Sequence, residues 1–155
     1  MTQLQTAAAR NTTIILLVDD DPDVRMLTRD AISQTGLFSE VREVSSGREA
    51  TEYLQRCTRA EDGQRPDLIY LDIDMPGMSG QEVLKWIRAR EELDDVPVVM
   101  MTGLDDEAQK LQAARNGANS YTLKPVNPDE FLKTVHEATE YWTLIHQLPR
   151  RPNNV

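Results

Sequence analysis

Short apolar runs alternate along this chain with longer stretches in which apolar residues recur every three or four positions. Ile14-Ile15-Leu16-Leu17-Val18, Leu68-Ile69-Tyr70-Leu71 and Val98-Val99-Met100-Met101 are nearly unbroken, the pattern of parallel strands covered on both faces. Glu40-Val41-Arg42-Glu43-Val44 alternates, which suits a strand at a sheet edge. Ser120-Tyr121-Thr122-Leu123 completes the predicted set. Between the strands, Val24, Leu27, Ala31 and Ile32 repeat at helical spacing. So do Val83, Leu84 and Ile87, then Ala108, Leu111 and Ala114, and last Phe131, Val135, Ala138, Trp142 and Ile145. Ala50, Tyr53, Leu54 and Cys57 form a further amphipathic stretch.

The boundary signals agree with this division. Asp21-Pro22 and Asn127-Pro128 each set a capping side chain before a proline at the first helical position. Gly36 and Gly117 stand where helices close. The repeated alternation predicts an open α/β sheet with helices on both faces. It occupies residues 13–148, between loosely ordered segments at 1–12 and 149–155. Thr58 to Arg65 reads as a polar loop, and the final helix is predicted from Asn127 to about Gln147.

Composition narrows the classes of function. With 155 residues there is room for one domain of ordinary size, and 39% apolar content supports a packed core. Lys and Arg number 17 against 26 Asp and Glu, a net charge of −9, which disfavours clamping nucleic-acid phosphates or an anionic membrane. The single cysteine, Cys57, reads as a packing residue, and without a disulfide framework nothing argues for secretion. Met1 to Thr13 carries only Arg10 as a cation and lacks the apolar core of a signal peptide. No apolar run approaches the roughly 18 residues of a spanning helix. A cytoplasmic location is expected.

The residues that end or follow the strands carry the chemistry. Asp19-Asp20-Asp21 follows the first, Asp72 the third, Thr102-Gly103 the fourth and Lys124-Pro125 the fifth. In an open parallel sheet, ligands bind outside the carboxyl ends of the strands. Asp19, Asp20 and Asp72 crowd three carboxylates together, which opposes joint ionisation unless a cation sits among them. Hard oxygen ligands with room for water suit Mg²⁺. Lys124 suits one phosphoryl oxygen and the Thr102 hydroxyl another. A carboxylate can itself be the nucleophile, forming an aspartyl phosphate. Asp72, alone at its strand end, fits that role.

The segments LLVDDDP (16–22), LIYLDIDMPGMSG (68–80), VVMMTG (98–103) and GANSYTLKP (117–125) resemble the four signature segments of bacterial response-regulator receiver domains, over residues 13 to 146. The resemblance implies a flavodoxin-like, doubly wound five-stranded parallel sheet of order 2-1-3-4-5 with five helices. It also implies Asp72 as phosphoacceptor. Asp19, Asp20, Asp72 and the backbone carbonyl of Asp74 become the Mg²⁺ ligands. Thr102 is the switch hydroxyl, Lys124 the phosphate-contacting lysine, and Tyr121 the aromatic whose rotamer reports activation. The Lys124-Pro125 bond is expected to be cis. The implied protein is a signalling phosphoacceptor, not an enzyme acting on other substrates. Its partners are a sensor histidine kinase and a downstream protein or phosphotransfer protein.

Plainer roles apply to several neighbours. Asp21 reads as a helix cap, and Pro76 and Gly77 as shapers of the turn after the third strand. The Asp74 side chain either influences water attack on the phosphate or is merely solvated, and Tyr121 can be an ordinary half-buried aromatic. Glu91-Glu92 and Asp94-Asp95 read as solvated loop charges; His136 and His146 as surface residues without metal-ligand spacing. The long final helix, its end Tyr141-Trp142-Thr143-Leu144-Ile145, and the loops at 58–66 and 91–95 are similar to single-domain receivers that work with phytochrome-type histidine kinases. Tyr141 and Leu144 fall partly outside the core-facing stripe, which predicts a homodimer contact there.

Two alternatives from other classes remain at this point. Asp72-Ile73-Asp74 also resembles the nucleophile motif of haloacid-dehalogenase-type phosphatases, although that motif normally follows the first strand. A phosphorylation-independent scaffold is the other, but it has no need of three crowded carboxylates.

Overall fold

A computed structural model describes residues 12–59 and 64–145. Five strands form one parallel sheet in the order β2-β1-β3-β4-β5. They are β1 (Thr13–Val18), β2 (Ser39–Val44), β3 (Leu68–Asp72), β4 (Val98–Thr102) and β5 (Ser120–Leu123). The helices are α1 (Pro22–Ser33), α2 (Gly47–Arg59), α3 (Gly80–Arg88), α4 (Glu107–Arg115) and α5 (Pro128–Glu140), and α5 runs into a π-helical turn, Tyr141–Ile145. The alternation predicts the open α/β sheet, and its strand order is the flavodoxin-like one that the resemblance implies.

The apolar runs are central strands because both their faces are covered. Every residue of β3 and β4 is buried. Leu16, Val18, Ile69, Leu71, Val98 and Met100 point to one side, where they meet Leu54 of α2 and Val83, Leu84 and Ile87 of α3. Ile15, Leu17, Leu68, Tyr70, Val99 and Met101 point to the other, against Ala31 and Ile32 of α1 and Phe131 and Val135 of α5. The alternating β2 lies at the edge, with no residue fully buried. Strands β3 and β4 run one residue past their apolar cores, so Asp72 and Thr102 terminate their strands and inherit the strands' rigidity.

The caps form as expected. The Asp21 carboxylate accepts from the Asp23 amide ahead of Pro22, and the Asn127 side chain accepts from the Asp129 and Glu130 amides. Gly36 and Gly117 adopt φ of 80° and 97°, the left-handed conformation that lets the chain leave a helix at little steric cost. Cys57 is buried in α2.

Several expectations need correction. The Lys124–Pro125 peptide bond is trans, the intrinsically favoured isomer by about 0.5–1 kcal/mol for an X-Pro bond. The stripe expected on α4 faces outward: only Ala113 is buried, and Leu111 is 53% exposed. Polar ties seat this helix instead. The Gln81 side-chain amide donates to the Gln109 carbonyl and side chain, and the Asn116 side chain donates back to Gln81. Thr58 and Arg59 belong to α2 and not to a loop. Asp95 is not simply solvated, because Arg65 pairs with it at 3.3 Å. On α5, Thr139 joins the buried stripe beside Phe131 and Val135 because its hydroxyl meets the buried Tyr70 hydroxyl at 2.6 Å. The expectations for residues 1–11, His146, Gln147 and the segment 149–155 lie outside the described residues.

Candidate functional site

The carboxyl ends of β1, β3, β4 and β5 meet at one edge of the sheet. Asp19 and Asp72 are both buried there, at 6% and 4% exposure, while Asp20 stays exposed. Burial of two carboxylates demands a counter-charge, and Lys124 supplies it. Its Nζ donates to Asp19 Oδ2 at 2.8 Å and to Asp72 Oδ1 at 3.2 Å. The Lys124 amide in turn donates to the Thr102 carbonyl at 2.7 Å, so the ends of β4 and β5 are tied and the lysine stem has a fixed root.

One ammonium does not neutralise this cluster. Burial pushes the Asp72 carboxyl up to about 6 and the neighbouring Asp19 charge adds to the rise, with Lys124 opposing both. For Lys124, burial favours the neutral form, but its bonds to Asp19 and Asp72 outweigh this and raise it above the ordinary lysine value. Oxygens of Asp19, Asp20 and Asp72 all lie within 4.8 Å of one another. An all-oxygen set with excess negative charge fits a hard divalent cation such as Mg²⁺.

Thr102 is 2% exposed and its hydroxyl is held twice. It accepts from the Leu104 amide at 3.1 Å and donates to Asp74 Oδ2 at 3.1 Å. The Asp74 amide approaches Asp72 Oδ1 at 3.4 Å. Tyr121 is half-buried, with its hydroxyl 3.5 Å from the Asp106 carbonyl. Partial burial raises its phenol, and the acidic neighbours Asp106, Asp105, Asp74 and Glu107 reinforce the shift. The residues expected from the sequence thus fall into two adjoining groups. Asp19, Asp20, Asp72 and Lys124 make an acidic pocket, and Thr102 and Asp74 pair beside it. Tyr121 stands apart at the α4 side.

Arg25 is a functional residue that the hydrophobic and strand-end patterns do not single out. Its Nη1 donates to the Asp19 carbonyl at 2.6 Å, and its Nε pairs at 3.0 Å with Glu43 on β2, which also pairs with Arg29. The guanidinium therefore fixes the turn that presents Asp19 and Asp20. A cation less than two turns into a helix that follows an acidic strand end is the available sequence signal. Gly80 is the second such residue. A Cβ there would lie 2.2 Å from the Asp72 carbonyl oxygen, so only glycine lets α3 start against the end of β3.

Comparison with known proteins gives a consistent picture. The response regulator receiver domain profile matches residues 15–136. The probable methanogenesis regulatory protein FilR2 of Methanothrix harundinacea is 34% identical over 129 residues, 83% of each chain. For the transcriptional regulatory protein GltR of Pseudomonas aeruginosa the identity is also 34%, and the matched part spans only 46% of that relative. Among solved structures, the phosphorylated cyanobacterial phytochrome response regulator RcpA superposes with a TM-score of 0.83 at 30% identity, covering 90% of this chain and 99% of the other. The Mn²⁺-bound response regulator Rcp1 gives 0.81 at 28% identity, covering 89% and 99%.

Proposed function

The chain belongs to the response-regulator receiver family, and on that premise we propose that it accepts a phosphoryl group from a histidine kinase onto Asp72 in a Mg²⁺-dependent reaction. The observation that carries this reading is the Lys124 ammonium bridging the buried Asp19 and Asp72 carboxylates beside exposed Asp20. A carboxyl titrating near 6 is mostly ionised at neutral pH and keeps the electron pair that attack on phosphorus needs. An Asp72 oxygen forms the new bond to phosphorus while the donor's bond to phosphorus breaks. The leaving group departs with the electron pair of the bond that breaks and takes its proton from solvent. Lys124, already bonded to Asp72, would meet one oxygen of the acyl phosphate, and the Thr102 hydroxyl, on leaving Asp74, would meet another.

Asp19, Asp20, Asp72 and the Asp74 backbone carbonyl would hold Mg²⁺, which when bound offsets phosphoryl charge. Asp20→Asn is expected to stay folded, because Asp20 is exposed, and to bind Mg²⁺ about tenfold or more weakly, since one of three carboxylates is lost. Titration with Mg²⁺ checks this, and unchanged affinity would remove Asp20 from the ligand set. Intact mass tests the whole reading. Acetyl phosphate with Mg²⁺ adds one phosphoryl group to the wild type and none to Asp72→Asn.

Output passes through protein contacts or onward phosphate transfer, with Thr102 and Tyr121 as the switch residues. Likeness to RcpA, a cyanobacterial phytochrome response regulator, supports a phytochrome-type kinase as the donor. A homodimer contact at the C-terminal helix region is the proposed assembly. Tyr141 and Leu144 are 45% and 50% exposed, and Tyr141 packs edge-on against Trp142 at 4.9 Å. Anchors of this kind often contribute about 2 kcal/mol or more to an interface. Leu144→Asp is therefore expected to shift sedimentation from dimer to monomer at a matched concentration. A wild type that stays monomeric at high micromolar concentration, with and without phosphodonor, rules the contact out.

A further inference from the structure

We propose that Asp74 is a positioning residue whose side chain holds the Thr102 hydroxyl away from Asp72 until a phosphoryl group competes for it. The inference rests on the assignment of Asp72 as phosphoacceptor and Thr102 as the hydroxyl that meets the phosphoryl group. A threonine hydroxyl has a single proton. In Thr102 that proton goes to Asp74 Oδ2, at 3.1 Å, while the oxygen accepts from the Leu104 amide. Both functions of a buried hydroxyl are thus satisfied without Asp72.

The carboxylate suits this task. Among the described residues no cation pairs with Asp74, whereas Lys124 is engaged by Asp19 and Asp72. Asp74 is anchored on its own backbone side, where its amide approaches Asp72 Oδ1. Its carboxylate lies against the end of β4, where it accepts from the Thr102 hydroxyl. To donate to an oxygen on Asp72, Thr102 must give up its hydrogen bond to the Asp74 side chain, and that loss opposes activation. Because Asp74 is exposed, water softens the loss.

The test is a double-mutant cycle read by calorimetric titration with beryllofluoride, an acyl-phosphate mimic, at saturating Mg²⁺. Asp74→Ala should bind the mimic about three- to tenfold more tightly than wild type. In a Thr102→Val background, with Thr102→Ala as the substitute if valine unfolds the domain, Asp74→Ala should change affinity by less than about twofold. If the gain persists undiminished without the hydroxyl, Asp74 acts by charge repulsion alone and the proposal is overturned. No gain in either background overturns it as well. Failure of wild type and all variants to bind the mimic overturns the phosphoacceptor reading and this proposal with it. A second readout needs no metal or mimic. NMR couplings in the Mg²⁺-free protein should show one Thr102 rotamer in wild type and averaging in Asp74→Ala; an identical single rotamer in both contradicts the proposal.

Discussion

Asp72→Asn is expected to be more stable than wild type at pH 7 without divalent cation, by about 2 to 3 kcal/mol. The reason is the position of Asp72 itself. It is 4% exposed, faces Asp19 and shares one lysine with it. Its carboxyl therefore titrates near 6 instead of 3.8. A carboxyl raised in the folded state binds its proton more tightly there than in the unfolded chain. Its ionisation then opposes folding, fully above the folded value and not at all below the unfolded one. Asparagine has nearly the same shape as the protonated acid and no such penalty. Lowering the pH from 7 towards 4 should therefore erase the difference between variant and wild type. Mg²⁺ should also shrink it at pH 7 by favouring the ionised form. Paired urea titrations along pH provide the check. A difference that stays flat from pH 7 to 4, or that favours wild type at pH 7, contradicts the electrostatics described above.

Gly80→Ala is expected to destabilise the domain by about 3 kcal/mol or more and to slow phosphorylation of the remaining folded protein at least about tenfold. Gly80 opens α3 behind the Ser79 and Glu82 capping box. An added Cβ would stand 2.2 Å from the Asp72 carbonyl oxygen and 2.8 Å from Ile73 Cα. Both are backbone atoms at the end of a buried strand, so no side-chain rotation relieves the overlap. Either α3 lifts from the sheet or the end of β3 moves, and the second displaces Asp72 from Lys124. Gly103→Ala is the control. Nothing lies within 4 Å of its added Cβ, and a change within about 0.5 kcal/mol is expected. Equal effects at the two positions would contradict this reading of the α3–β3 junction.

The legible parts of this fold are those that local chemistry decides. Unbroken apolar runs at 14–18, 68–71 and 98–101 are strands because a fully buried parallel strand has no polar face to show. Asp21 and Asn127 cap as their types and following prolines dictate. The acidic pocket was legible because strand ends in such a sheet converge on one edge, whatever the rest of the chain does. What escaped depends on partners distant in sequence. Leu111 sits on an apolar stripe that α4 turns outward because Gln81, 28 residues from Gln109, holds the helix by polar contacts. Tyr70 is indistinguishable in the sequence from the apolar residues of its strand, although its hydroxyl meets Thr139, 69 residues on. Arg25 was invisible because its purpose appears only when Glu43 on β2 is brought alongside.

The most direct measurement of the central claim locates the phosphoryl group chemically. Wild-type protein treated with acetyl phosphate and Mg²⁺ is reduced with borohydride, which converts an aspartyl phosphate to homoserine and leaves free carboxylates unchanged. Peptide mass mapping then reads which aspartate was modified. Conversion confined to position 72, dependent on both phosphodonor and Mg²⁺, is the predicted result. Conversion at Asp19, Asp20 or Asp74 with position 72 intact would contradict it.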